Sequence, residues 1–240
     1  MAWICFLFLN NIAIVDLFWP ISIFGVCLTF FLSSDKTSTN LVIISLIALW
    51  MIRLACYLFF SRIIPGHRDK RYESMDTTSH KNKRVLSFFT VFLLQAILAS
   101  MVGFSFFYVS KISTTSIVYF IGVIIMIIAI VGESVSDWQL TKHKKITKQL
   151  CDKGLWALSR HPNLFFDWLF WLGVATCGIS YPTGWIGLLS PICLYLIMNK
   201  ITIPITEKHS LQSRGAAYLQ YKNKVSCFFL WARKISNKDN

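Results

Sequence analysis

Six long apolar blocks run through the sequence, at about residues 12–33, 41–61, 85–109, 115–137, 162–180 and 184–203. Each holds roughly 18–25 residues, the length a helix needs to cross about 30 Å of hydrocarbon. A spanning strand would need only about 10 residues of alternating polarity, and no such alternation is visible. In a bilayer a helix satisfies its own backbone hydrogen bonds, so helices are what can span. The blocks therefore predict an all-α fold: a polytopic membrane helical bundle with about six transmembrane helices, forming one domain over residues 1–240. Composition agrees, with 55% hydrophobic and only 15% charged residues, against about 25% charged in a soluble domain. Met1–Leu9 is apolar but too short to cross; it reads as an interfacial stub or part of a further helix. It has no basic n-region and no small-residue cleavage site, so a cleaved signal peptide is not expected.

The charges fix a direction. The chain carries 24 Lys+Arg against 11 Asp+Glu, a net +13. The basic residues collect in segments 62–84 and 138–160 and in the tail after residue 200, while the alternate connections are nearly bare. The positive-inside rule then predicts a multi-pass protein of a bacterial inner membrane or the endoplasmic reticulum. Its N-terminus, both basic loops and the tail 204–240 are expected in the cytoplasm. Nucleic acid is not an expected partner, because these residues lie between helices and form no recognition motif. The seven cysteines form no C-x-x-C pair, so neither a disulfide framework nor a zinc site is expected. No G-x-G-x-x-G or P-loop is present.

The informative residues are the scarce acids. Asp16, Glu133, Asp137, Asp167 and Glu207 lie in or beside apolar blocks, each toward the expected cytoplasmic end, and Arg53 lies in the matching half of the second block. An ionisable group in the membrane costs a few kcal/mol at mid-depth and usually faces a cavity or a partner. The set reads as a shared polar chamber; the alternative is that each acid reaches water at a helix end. Glu133 and Asp137 share one helix face at i, i+4. The run Ser159-Arg160-His161-Pro162-Asn163 opens the fifth block, and proline favours a first helical turn. Asn163 and Asp167 then share a face. Unpaired N–H groups at such a helix start, with Arg160 beside them, suit an anion. His143 and His161 lack the spacing of a metal pair with these acids, so no metal is expected. The aromatics from Trp156 to Trp171 read either as an interfacial belt or as a flat slot for a planar ligand. Pro191 and Pro204 are placed to bend the sixth block.

These motifs resemble a family. Gly154-Leu155-Trp156-Ala157-Leu158-Ser159-Arg160-His161-Pro162-Asn163-Leu164-Phe165-Phe166-Asp167 is similar to the pattern G-L-[WF]-x-x-S-R-H-P-N-Y-F-G-[ED] of steroid 5-alpha-reductase C-terminal-like membrane proteins. The likeness is to their bacterial and plant branch. Ile14–Trp19, Val91–Ala96, Gly132–Leu140, Glu207-Lys208 and the Tyr218-x-x-Tyr221 tail extend it from about residue 12 to 232. Leu164, Phe166 and Asp167 depart from the family's Tyr, Gly and commoner Glu. The resemblance implies NADPH-dependent reduction of a C=C bond in a lipid or steroid-like enone, with NADPH held in a cytoplasmic chamber without a Rossmann domain. Under it Glu133, Asp137 and Asp16 are the candidate proton donors. Arg160, His161, Asn163, Asp167 and Glu207 fall at or near cofactor positions. Lys153, with Lys142, Lys144 and Lys145, is a candidate phosphate partner, although the same lysines also serve the topology signal. The expected partners are the substrate and membrane lipids. Two other readings stay open: an S-adenosylmethionine-dependent membrane methyltransferase, and a non-catalytic lipid-binding or transport bundle.

Overall fold

A computed structural model describes residues 14–64, 92–147 and 149–232. Met1–Leu9, the start of the third block, the basic loop beyond Ile64 and residues 233–240 lie outside them. Among the described residues the chain is helical: α1 Ile14–Leu32, α2 Ser38–Leu58, α3 Leu94–Gly103, α4 Ser105–Val109, α5 Ile117–Ile146, α6 Pro162–Gly178, α7 Leu189–Ile197 and α8 Ile203–Lys224. The one extended pairing among them is an isolated bridge between Ser159 and Ser226. Among the described residues four helical segments are long and apolar enough to cross a membrane: Val15–Leu32, Ser38–Ile63, Ile117–Ile146 and Gly184–Lys224. Leu94–Val109 is a shorter apolar segment, and α6 has 17 residues. The chain is thus an all-α membrane protein; α1 to α7 fall on the predicted blocks, whereas α8 occupies the stretch after residue 203 that was expected to be a tail.

The helices group into two compact units, Met1–Phe120 with Val174–Ser190, and Ile121–Gly173 with Pro191–Asn240. In the first unit α1 and α3 touch at a glycine: a Cβ on Gly103 would stand 2.9 Å from Val26 Cγ1. Around this contact Ile23, Cys27, Ile43, Ile47 and Val102 are fully buried. Thr37 caps α2 by accepting the Asn40 N–H at 3.3 Å, one of the amides a helix start leaves over. Thr39 Oγ1 donates to the Ile112 carbonyl at 3.2 Å and Tyr119 Oη to the Thr39 carbonyl at 3.1 Å. These bonds satisfy polar groups that burial would otherwise penalise.

In the second unit α5 and α6 run antiparallel and approach where side chains are smallest. A Cβ on Gly132 would collide with the Phe166 ring, and one on Gly173 would meet Met126 at 2.8 Å. These two contacts set the register: Gly132 lies level with Phe166, so Asp137, further along α5, lies level with the first residues of α6. The opposite side of α5 turns Ile121, Ile124, Ile128, Val131, Val135 and Trp138 outward. That stripe follows helical spacing and suits lipid.

Helix α8 is two helices. Gly215 has φ 51° and ψ −126°, a region essentially limited to glycine. A continuous helix would separate Glu207 and Lys222 by about 22 Å at 1.5 Å per residue, yet Lys222 Nζ stands 2.9 Å from Glu207 Oε2. The break at Gly215 therefore folds the second piece back on the first. Nothing lies within 4 Å of a Cβ placed there, so Gly215→Ala should cost only backbone strain, about 1–3 kcal/mol. It is expected to lower the melting temperature of the detergent-solubilised protein. Gly132→Ala should destabilise by collision with Phe166. Pairing it with Phe166→Leu should recover part of that loss, a coupling measurable in a double-mutant cycle.

Candidate functional site

The sequence Ser159-Arg160-His161-Pro162-Asn163 forms the corner between the loop after α5 and the start of α6, and each of its residues has a distinct task. Gly154 (φ 61°) turns the incoming chain close beneath Gln139, whose Oε1 accepts the Leu155 N–H at 3.0 Å. Trp156 Nε1 donates to the Ser136 carbonyl at 3.0 Å, fixing the loop to α5. Ser159 is fully buried. Its hydroxyl donates to the Phe228 carbonyl at 2.8 Å and accepts the His161 N–H at 3.1 Å. The Arg160 N–H donates to the Ser226 carbonyl at 2.9 Å, and the Trp231 N–H to the Leu158 carbonyl at 3.1 Å. Residues 225–231 thus form a strap across the corner. Pro162 is the first residue of α6, where its missing N–H goes unneeded.

Arg160 and Glu207 are the electrostatic centre. Both are 8% exposed. Arg160 Nε and Nη2 each donate to Glu207 Oε1 at 2.7 Å. Its Nη1 donates to the Lys222 carbonyl at 3.0 Å and the Val225 carbonyl at 2.7 Å. Those carbonyls belong to the last turn of α8 and the residue after it, where helical partners run out. Lys222 Nζ lies 2.9 Å from Glu207 Oε2 and His161 Nε2 3.5 Å from Glu207 Oε1. One carboxylate therefore collects two cations and a histidine, and one guanidinium closes a helix end. Tyr221 Oη donates to the Trp156 carbonyl at 2.6 Å, so α8 grips both ends of the corner. Cys227 Sγ lies 3.9 Å from Glu207 Oε1. Burial pushes the Cys227 and Cys151 thiols up, which disfavours thiolate chemistry at either.

The same unit holds the other candidate acids. Glu133, Asp137 and Asp167 are 3%, 4% and 8% exposed. Asn163 is half-buried and Lys153 exposed. Lys142 lies over the Trp138 ring, 5.0 Å from its centroid, and Lys144 and Lys145 are exposed. Asp16 belongs to the first unit, where the Arg62 guanidinium donates to its carboxylate. Among the described residues no three His, Cys, Asp or Glu side chains gather as a metal site would need. A cleft of about 580 Å³ opens beside the corner, lined by Gln149, Leu150, Asp152, Arg214, Ala217, Gln220, Tyr221, Lys224 and Val225. It shares Tyr221 and Val225 with the Arg160 centre.

Residues 2–225 match the family described as "Protein of unknown function (DUF1295)". The chain belongs to that family. No curated protein and no solved structure matches it.

The structure brings Arg160, His161 and Glu207 together and buries Glu133, Asp137 and Asp167 in the same unit. Sequence reasoning missed Lys222, Val225, Phe228 and the cleft. Their roles depend on the Gly215 reversal and the strap, which no local pattern announces. It also left the aromatics open between belt and slot. Phe165, Trp168 and Tyr195 in fact surround Phe228, with ring centroids 5.2–5.9 Å away. Trp168 Nε1 donates to the Pro191 carbonyl at 3.0 Å.

Removing one partner of a buried ion pair leaves the other charge uncompensated, at a cost of about 3–5 kcal/mol. Glu207→Gln should therefore destabilise the folded protein strongly. Lys222→Ala, at a half-exposed position, should cost about 0–1 kcal/mol. Thermal unfolding of the two variants checks the contrast.

Proposed function

We propose that this chain is a membrane-embedded, NADPH-dependent reductase of a C=C bond in a lipid or steroid-like enone. The observation that carries the reading is the Arg160–Glu207 centre, which holds the N-terminus of α6, with Asn163 and Asp167, level with the buried acids of α5. Such a set of buried acids in an apolar unit is costly to keep, which supports reading it as a functional site. The resemblance to steroid 5-alpha-reductase-like membrane proteins supplies the reaction class. On the positive-inside argument, both termini and this chamber face the cytoplasm, where NADPH is available.

When bound, NADPH supplies a hydride to the β-carbon of the enone. The remaining demands fall on the chain. Negative charge develops on the enone oxygen, and a donor aimed there is worth several kcal/mol in a site that excludes water. Glu133 and Asp137, adjacent on one face of α5, are the acids assigned to this donation, with Asp16 as the third candidate. Completing the reduction requires one proton at the α-carbon, so hydride and proton together saturate the double bond. Arg160 and Glu207 use their hydrogen bonds on each other and on the chain, and act as positioning residues. Asn163, half-buried on the first turn of α6, is assigned to the cofactor.

A methyltransferase is the second reading, because its R-H-P motif is similar. It predicts a different ligand. In detergent, a saturating ligand at about 100 times its Kd stabilises the folded state by about 2.7 kcal/mol. NADPH should raise the melting temperature and S-adenosylmethionine should not, and Asn163→Ala should abolish the NADPH shift. Stabilisation by S-adenosylmethionine alone would overturn the reductase. A lipid profile of a deletion strain, searched for an accumulating unsaturated species, names the substrate.

A further inference from the structure

The strap that closes the corner has an outer side. Phe228 is buried among Phe165, Trp168 and Tyr195, but its neighbours are not: Phe229 is 47% exposed and Trp231 73%. Phe229 leans on the same three rings from outside, with centroids 6.0–6.1 Å away. Leu158, whose carbonyl accepts the Trp231 N–H, is exposed as well. Large apolar side chains gathered at a surface mark a contact with something other than water.

The level of this ledge along α5 says what the contact is. The outward apolar stripe of α5 ends at Trp138, and Lys142, Lys144 and Lys145 follow it. The loop after α5 returns beside that same turn, where Gln139 accepts the Leu155 N–H and the Ser136 carbonyl accepts from Trp156. Leu158 comes two residues later and carries the bond to Trp231. Both exposed tryptophans therefore stand in the layer where α5 changes from apolar to basic. That change marks a membrane–water boundary, where tryptophan collects because its ring is apolar and its N–H polar. Inward from it, Phe229 touches Trp168, the seventh residue of α6, and Tyr195 on α7, beside exposed Ile192 and Leu196. The ledge thus continues a lipid-facing surface. Its backbone suits the place too: the Ser226 and Phe228 carbonyls and the Trp231 N–H are bonded to the corner, and non-helical chain is tolerated at membrane depth where protein satisfies its polar groups. In sequence, 233–240 adds Arg233, Lys234 and Lys238 against Asp239, a charge that suits phosphate headgroups.

We infer that the outer side of the strap, Phe229 and Trp231, is seated in the headgroup–acyl boundary of a phospholipid leaflet, and that the leaflet thereby holds the strap on the Ser159–Asn163 corner. The lipid acts on an element whose bonds reach Leu158, Ser159 and Arg160 together. Lipid contact at Trp231 and closure of the corner are therefore linked, each favouring the other. The inference needs only a membrane protein and holds whatever reaction the chain performs.

The test uses the full chain in phospholipid nanodiscs and compares it with Trp231→Phe. Subtracting the two emission spectra isolates Trp231 from the other tryptophans. Phosphatidylcholine brominated near the headgroup end of its acyl chains should quench most of that difference signal, and aqueous iodide should quench little of it. The reverse result overturns the seating, because the ring is then in water. Quenching by neither also overturns it, because a second copy or another segment of protein then covers the ring. Hydrogen exchange reads the link to the corner. Trp231→Ser should speed exchange of the Arg160 amide, which is bonded to the Ser226 carbonyl, by about tenfold. Trp231→Phe keeps an apolar ring and should stay near the wild-type rate. Unchanged exchange in the middle of α5 shows that the fold is intact in both variants. An Arg160 rate that Trp231→Ser leaves unchanged overturns the claim that the leaflet holds the strap.

Discussion

A buried ion pair holds this molecule's second unit in register. Arg160 and Glu207 come from segments far apart in sequence, the corner before α6 and the first piece of α8, and both are withdrawn from solvent. Desolvating two charges costs several kcal/mol each, and their attraction recovers this only with good geometry and satisfied hydrogen bonds. Here the guanidinium is bonded along three of its nitrogens and the carboxylate along both oxygens. What the pair supplies is uniqueness. Only one placement of α8 lets Arg160 close its C-terminal carbonyls while Lys222 returns to Glu207.

That placement in turn depends on a residue with no side chain. Without the reversal at Gly215, Lys222 would lie far from Glu207, and Tyr221 could not reach the Trp156 carbonyl. The strap after α8 adds the last restraints, through backbone bonds to Leu158 and Arg160 and through Phe228 among three aromatic rings. The corner is thus held by a helix end, an ion pair, a strap and an aromatic cluster, each from a different stretch of chain. The first two turns of α6, which carry Asn163 and Asp167, gain a fixed position that propensity alone would not give them.

The spans were legible in the sequence because hydrocarbon imposes a length. The blocks at 12–33, 41–61 and 162–180 reappear as α1, α2 and α6, and the proline at 162 marked its helix start. α5 runs past its predicted end to Ile146, where its last turn carries His143, Lys144 and Lys145, which favour a helix C-terminus. Glu133, Asp137, Asp167 and Glu207 stood out because charge in or beside an apolar block is rare, and they lie in one unit, whereas Asp16 lies in the other. The partners in the site were not legible: Lys222 lies in an ordinary polar helix whose pattern gives no hint of the fold-back, and Val225 is the residue just after it. Gly215 reads in sequence as a weak point in a helix, and only its φ and ψ reveal a turn. Phe166, a departure from the family pattern, finds its reason in Gly132, whose bare backbone receives the ring.

The strap has a consequence for the order in which this protein is built. Residues 225–231 follow every helix described, yet they bind the corner at Leu158–Arg160, more than one spanning segment earlier. On a ribosome, α5 and α6 enter the membrane while the chain that locks their junction is still unmade. The corner must wait, with Arg160 beside an apolar layer and its partners Glu207, Lys222 and Val225 still to be translated. Closure of this site therefore waits for the last turn of α8 and the strap to be made, and the two halves of the unit must tolerate an open interval before it.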